Sequence, residues 1–176
     1  MRTYPFTLMT YYDSIADGYS ELHGEEQQKK ARIILGRLKP GRNESLLDVG
    51  CGDASYLDMF GCECVGVDPS EELLEKYEGI HQVLPAVAED LPFEDSEFDI
   101  VISITAIQNF TDPEKGLREI ERVCKDRFAL SYLKRSPKAP ALEKLIRDLF
   151  KVDEIVEEDK DLIFFCTKRD ESKNSP

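Results

Sequence analysis

The sequence predicts a doubly wound α/β fold: a mostly parallel seven-stranded sheet closed by a C-terminal antiparallel hairpin, with helices on both faces. Three observations predict it. An apolar run, Leu46-Leu47-Asp48-Val49, enters the turn Gly50-Cys51-Gly52, and a second run, Val65-Gly66-Val67, ends in the carboxylate of Asp68. Short β-branched runs then alternate with segments that are apolar at helical spacing, five strand–helix units in all. Finally, Lys151–Val156 and Leu162–Thr167 are strand-like and separated by charged turn residues, which reads as a hairpin.

The elements follow in order. Ala31, Ile34, Leu35 and Leu38 share one face of a helix over 25–39, and Pro40-Gly41 stops it. Ser45–Val49 is the first strand. Ala54–Phe60 is the helix expected after the glycine turn, its free N–H groups suited to a carboxylate. Cys64–Val67 is the second strand. Ser70 then caps a helix over Glu71–Tyr77, with Glu71 and Glu72 in its first turn. Gln82–Val87 is the third strand. Asp99–Ile104 is the fourth, apolar throughout as in a parallel strand covered on both faces. Leu117, Ile120 and Val123 mark the helix Glu114–Val123, the turn Cys124–Arg127 follows, and Arg127–Leu133 is the fifth strand. A short link, Ser136–Pro140, leads to a helix with Leu142, Leu145, Ile146 and Leu149 on one side. The expected division is a cap segment at 1–24, one domain at 25–169 and a disordered polar tail at 170–176.

Composition bounds the function. The 176 residues suit a single domain, and 36 acids against 23 bases give a formal charge of −13. Such a surface repels phosphate backbones and anionic membranes, so nucleic acid is a less favoured partner. Lys134, Arg135 and Lys138 are the few bases that could line a local groove. The five cysteines show no paired framework, Cys62-Glu63-Cys64 lacks redox or zinc spacing, and His23 and His81 are the only histidines, so no metal is expected. No stretch approaches the roughly 20 apolar residues of a membrane span, and no signal-peptide pattern is present. The expectation is a cytoplasmic protein, monomeric or a homodimer.

Gly50 lets the backbone turn sharply and approach a ligand, and an acid ending the next strand is placed for ribose hydroxyls. A dinucleotide fingerprint needs a third glycine where Ser55 stands, and a pyrophosphate would sit close to Asp48 and Asp53. The run Asp48-Val49-Gly50-Cys51-Gly52 resembles the first motif of class I S-adenosylmethionine-dependent methyltransferases. The run Ala88-Glu89-Asp90-Leu91-Pro92-Phe93 resembles the segment that follows their third strand, and Tyr11-Tyr12-Asp13 with Ala16 and Tyr19 resembles the lead of the small type-11 and quinone-type members. The resemblance implies S-adenosylmethionine as cofactor and methyl transfer without a metal. It puts Gly50 and Gly52 on the methionyl side and Asp68 at the ribose hydroxyls, with Asp48, Cys51 and Pro69 also among the cofactor-binding residues. Ala88, Glu89 and Asp90 fall near adenine, Ser103 lies at the end of the fourth strand, and Tyr12 and Tyr19 belong to a cap over cofactor and substrate.

Three departures from that family stand out. Ala54 replaces a third glycine. Val87 occupies the position of the aspartate that binds the adenine amino group, leaving Glu89 or Asp90 as substitute acceptors. Gln108 and Asn109 are the substrate-side candidates, and as amides they orient a substrate but cannot act as bases near neutral pH. Ser103-Ile104-Thr105-Ala106 also lacks the paired prolines of enzymes that methylate amide or exocyclic nitrogens. The acceptor expected is a small molecule. The alternatives are a protein or RNA acceptor, or a non-catalytic relative that binds cofactor or a partner. Asp68, at a strand end away from the core, is expected to matter for cofactor and little for folding.

Overall fold

The computed structural model describes residues 24–169. The described residues open with helix α1 over 24–38. The chain continues through β1 (Ser45–Val49), β2 (Glu63–Asp68), α2 (Glu71–Leu74), β3 (Gln82–Pro85), β4 (Phe98–Ser103), α3 (Pro113–Val123), β5 (Cys124–Leu133), α4 (Ala139–Leu149), β6 (Phe150–Glu157) and β7 (Asp161–Lys168). The sheet order is β3-β2-β1-β4-β5-β7-β6. The strands β1 to β5 pair in parallel, and β7 runs antiparallel to both β5 and β6. The predicted seven-stranded sheet and terminal hairpin are therefore present.

Alternation along the strands builds two cores. Leu47, Val49, Val67, Val101, Phe128 and Leu130 point to one face, where Leu117 and Ile120 of α3 and Leu142 and Ile146 of α4 cover them. Leu46, Cys64, Ile100, Ile102, Ala129 and Ile163 point to the other, against Ala31 and Ile34 of α1. Asp112 caps α3, accepting from the Lys115 N–H at 3.1 Å, and Pro113 follows it where no N–H is needed.

Three local expectations are corrected. The helix expected over Ala54–Phe60 is only a 3-10 turn, Leu57–Met59. Ala54 sits at φ +52°, outside the helical region, and the bonds that follow, Leu57 N–H to Ala54 O and Phe60 N–H to Leu57 O, span three residues. The helix after Ser70 stops at Leu74 instead of Tyr77. Ser70 caps it as expected, accepting from Leu73 N–H at 3.3 Å, but the Lys76 and Tyr77 N–H groups bond only three residues back, to Leu73 and Leu74, and the α-helix tightens out. The turn expected at Cys124–Arg127 belongs to β5, which begins directly at the end of α3. Between Phe98↔Cys124 and Ile100↔Arg127 the register slips, so β5 accommodates its extra residue as a bulge.

Candidate functional site

The strand order reverses between β1 and β4, and the crevice beyond the carboxyl ends of these strands is where open α/β sheets bind ligands. The loops after β1, β2, β3 and β4 gather there. Gly50 stands at φ +80°, and a methyl on it would lie 2.4 Å from Cβ of Ala106, so the two loops touch across the reversal. Both Gly50 and Cys51 donate their N–H to the Val67 carbonyl, at 2.8 and 3.0 Å. Gly52 donates to Asp68 Oδ2 at 2.9 Å, and Ser70 N–H donates to Asp68 Oδ1 at 2.9 Å. Asp68 thus fastens the glycine turn to the end of β2. Its side chain is half-buried, and a carboxylate accepts up to about four hydrogen bonds, so its chemistry suits ribose hydroxyls as well.

The N–H groups expected to receive a methionyl carboxylate are largely committed inside the protein. Besides the three above, Ala54 N–H donates to Cys51 O, and no helix begins here. Asp48 lies beneath the turn and is fully buried; Tyr56 donates to its Oδ2 at 2.6 Å, and its Oδ1 has no hydrogen-bond partner among the described residues. Burial raises its carboxyl to about 7, with the Tyr56 bond opposing and Asp68 adding to the rise. Cys51 is buried against Gly66, its thiol pushed up by desolvation and then by Asp48 and Asp68. Ser103, fully buried, donates to the Val49 carbonyl at 2.8 Å and ties β4 to β1, so it braces the crevice instead of lining it.

On the adenine side Val87 is half-buried and Ala88 is buried beside Phe110 and Leu91. Glu89 accepts from the Asp112 N–H at 2.9 Å, which joins this loop to the start of α3. Asp90 and Pro69 are exposed. Glu119 and Arg122 hold the rest of the loop: Glu119 accepts from Leu91 N–H, and Arg122 donates to the carbonyls of Leu91 and Phe93. The Gln108 carboxamide turns back on its own loop, Nε2 donating to Thr105 O at 2.6 Å, while Asn109 N–H donates to Ala106 O at 2.8 Å. Tyr12 and Tyr19 lie outside the described residues. Among the described residues no cluster of histidines, cysteines and carboxylates could hold a metal, and no helix is long and apolar enough to cross a membrane.

Sequence reasoning missed a polar network beside the crevice. Lys30 and Asp161, 1% and 0% exposed, form an ion pair at 3.0 Å. Lys30 donates to Thr105 Oγ1 at 2.8 Å, Thr105 Oγ1 donates to Asp161 Oδ2 at 2.7 Å, and Ser131 Oγ donates to the same oxygen at 2.9 Å while accepting from Thr105 N–H at 2.8 Å. No local pattern could have found it, because its members lie on α1, β5, β7 and the end of β4.

A family model described as a methyltransferase domain matches residues 47–129, the stretch that contains this crevice. The chain has the class I methyltransferase fold. Among curated relatives of this methyltransferase-like chain, an uncharacterized methyltransferase, YcgJ, from Bacillus subtilis is 34% identical over 119 residues, 59% of this chain and 46% of the relative. A demethylmenaquinone methyltransferase from Corynebacterium efficiens is 34% identical over 134 residues, 69% of this chain and 56% of the relative. The chain therefore spans about half the length of the curated relatives it matches. Among solved structures, one chain of a complex between the Haloferax volcanii Trm112 methyltransferase activator and a methyltransferase-like partner superposes with a TM-score of 0.77 at 19% identity, covering 90% of this chain and 98% of that one.

Proposed function

We propose that this chain transfers a methyl group from S-adenosylmethionine. The observation that carries the reading is the joint at the strand reversal, where Gly50 fits against Ala106 and Asp68 holds the Gly52 N–H at the end of β2. The cofactor, when bound, supplies an activated methyl group. In this reading Asp68 accepts the ribose hydroxyls, the bare backbone of Gly50 allows close approach, and Val87 and Ala88 offer an apolar face to adenine. Asp53 and Asp68 put carboxylates at the turn, chemistry that suits a sulfonium cation better than a pyrophosphate. What the protein adds is alignment and exclusion of water.

A protein acceptor is favoured over the small molecule expected from the sequence. The structural neighbour just described is a complex with an activator protein, and this chain matches nearly all of the superposed chain. Between β5 and α4 the link is short, so among the described residues it supplies no long lid over the crevice, which favours a bulky acceptor. Calorimetry with S-adenosylhomocysteine and NAD tests the cofactor, the first expected to bind near micromolar Kd. Preferential binding of NAD overturns the reading. Homocysteine release with protein fractions against quinone-like phenols tests the acceptor, and turnover on the phenols alone overturns the protein assignment.

A further inference from the structure

Thr105 is β-branched yet stands at φ +56°, a conformation that such a side chain adopts only when its surroundings hold it. Here every handle it offers is taken. Its N–H is held by Ser131, its hydroxyl lies between Lys30 and Asp161, and its carbonyl receives the Gln108 carboxamide. The next residue, Ala106, is the one that abuts Gly50.

Anchoring α1 does not account for this arrangement. Ala31 and Ile34 are already fully buried, and Lys29–Glu158, Glu26–Lys160 and Arg37–Glu154 pair the helix to the terminal hairpin at 2.8, 2.9 and 3.1 Å. Nor does stability, since a buried ion pair is often no better than apolar residues of the same volume. The network's distinctive product is the left-handed turn at Thr105.

We propose that Lys30 and Asp161 are positioning residues: acting through Thr105 and Ser131, they set the loop 105–109 against Gly50 and so fix the shape of the cofactor crevice. That the crevice holds S-adenosylmethionine rests on the reading above; that the network holds the loop does not.

The test compares the wild type with Thr105→Val, which keeps the shape and loses the hydroxyl, with Thr105→Ser, which keeps the hydroxyl, and with the apolar double replacement Lys30→Met and Asp161→Leu. Amide hydrogen exchange of residues 105–110 is followed in the free protein, and S-adenosylhomocysteine is the binding probe. In Thr105→Val and the double variant the loop amides should exchange about tenfold faster while β1 and β4 keep their protection. The probe should bind about fivefold more weakly, and Thr105→Ser should stay near wild type in both measures. Should the double variant fail to fold, Thr105→Val still decides. Unchanged exchange in Thr105→Val overturns the proposal, as does a Thr105→Ser variant equally impaired, because the hydroxyl would not then be the operative group. Faster exchange with unchanged probe affinity also overturns it, for the loop would be held without serving the crevice. If the wild type itself does not bind the probe, the cofactor reading fails, and exchange alone decides whether the network positions the loop.

Discussion

Two loops meet across the gap between β1 and β4, and each places a residue in the left-handed region. After β1 the residue is Gly50 at φ +80°; after β4 it is Thr105 at φ +56°. Glycine reaches that conformation at little steric cost and needs only backbone bonds to Val67 to stay there. Threonine reaches it at a cost, and side chains from three other elements hold it. The same backbone geometry is therefore built once from local chemistry and once from tertiary contacts. The first loop should be sensitive to added bulk, the second to lost hydrogen bonds.

The largest effect is expected at Gly50. Gly50→Ala combines left-handed strain with a methyl 2.4 Å from Ala106, and should lower unfolding stability by about 3–4 kcal/mol in urea titrations. Pairing it with Ala106→Gly should recover about 1 kcal/mol or more, and an additive pair would mean that the two loops do not bear on each other.

Asp68 comes next and revises the expectation of a purely ligand-facing acid. Since it holds the N–H groups of both Gly52 and Ser70, Asp68→Ala should cost about 1.5–3 kcal/mol of stability as well as weaken S-adenosylhomocysteine binding. A variant as stable as wild type would show that the glycine turn stands without its clasp.

Asp48 sharpens the comparison from below the turn. Its folded carboxyl titrates at about 7 against an ordinary 3.8. Between those values the unfolded chain has released the proton that the folded one keeps, so this group's contribution falls as pH rises through the window. Asp48→Asn can keep the Tyr56 bond and should therefore be more stable than wild type by about 1–2 kcal/mol near pH 7.5, with the advantage fading as pH approaches 4. Denaturation midpoints of both proteins across that range check the sign, and a variant less stable at neutral pH would show that the ionised form is held.

The smallest effect isolates strain alone. Lys39, exposed at the end of α1, has φ 45° and only its N–H bonded back, to Leu35 O. Lys39→Gly should stabilise by about 0.5–1 kcal/mol, whereas Thr105→Gly should show no gain because it forfeits the hydroxyl bonds. Equal gains at both sites in thermal unfolding would erase the distinction between the two loops.

Which features the sequence announced follows the same division. The strands, the terminal hairpin, the Ser70 cap and the turn at Gly50 rest on signals spread over only a few neighbouring residues: β-branched runs, alternation, a capping side chain, a glycine after a strand. Asp68 was legible for the same reason, as the last residue of such a run. The helix expected after Gly52 was not settled locally, because Ala54 is forced left-handed and Tyr56 is drawn to Asp48 beneath it. The bond from the Asp112 N–H to Glu89 at 2.9 Å is another contact that only the fold reveals. Lys30, Thr105, Ser131 and Asp161 each look like an unremarked surface or strand residue in the sequence. A buried charge needs a partner at about 3 Å, and only the packing of α1 over β4, β5 and β7 brings residues so far apart in the chain to that distance.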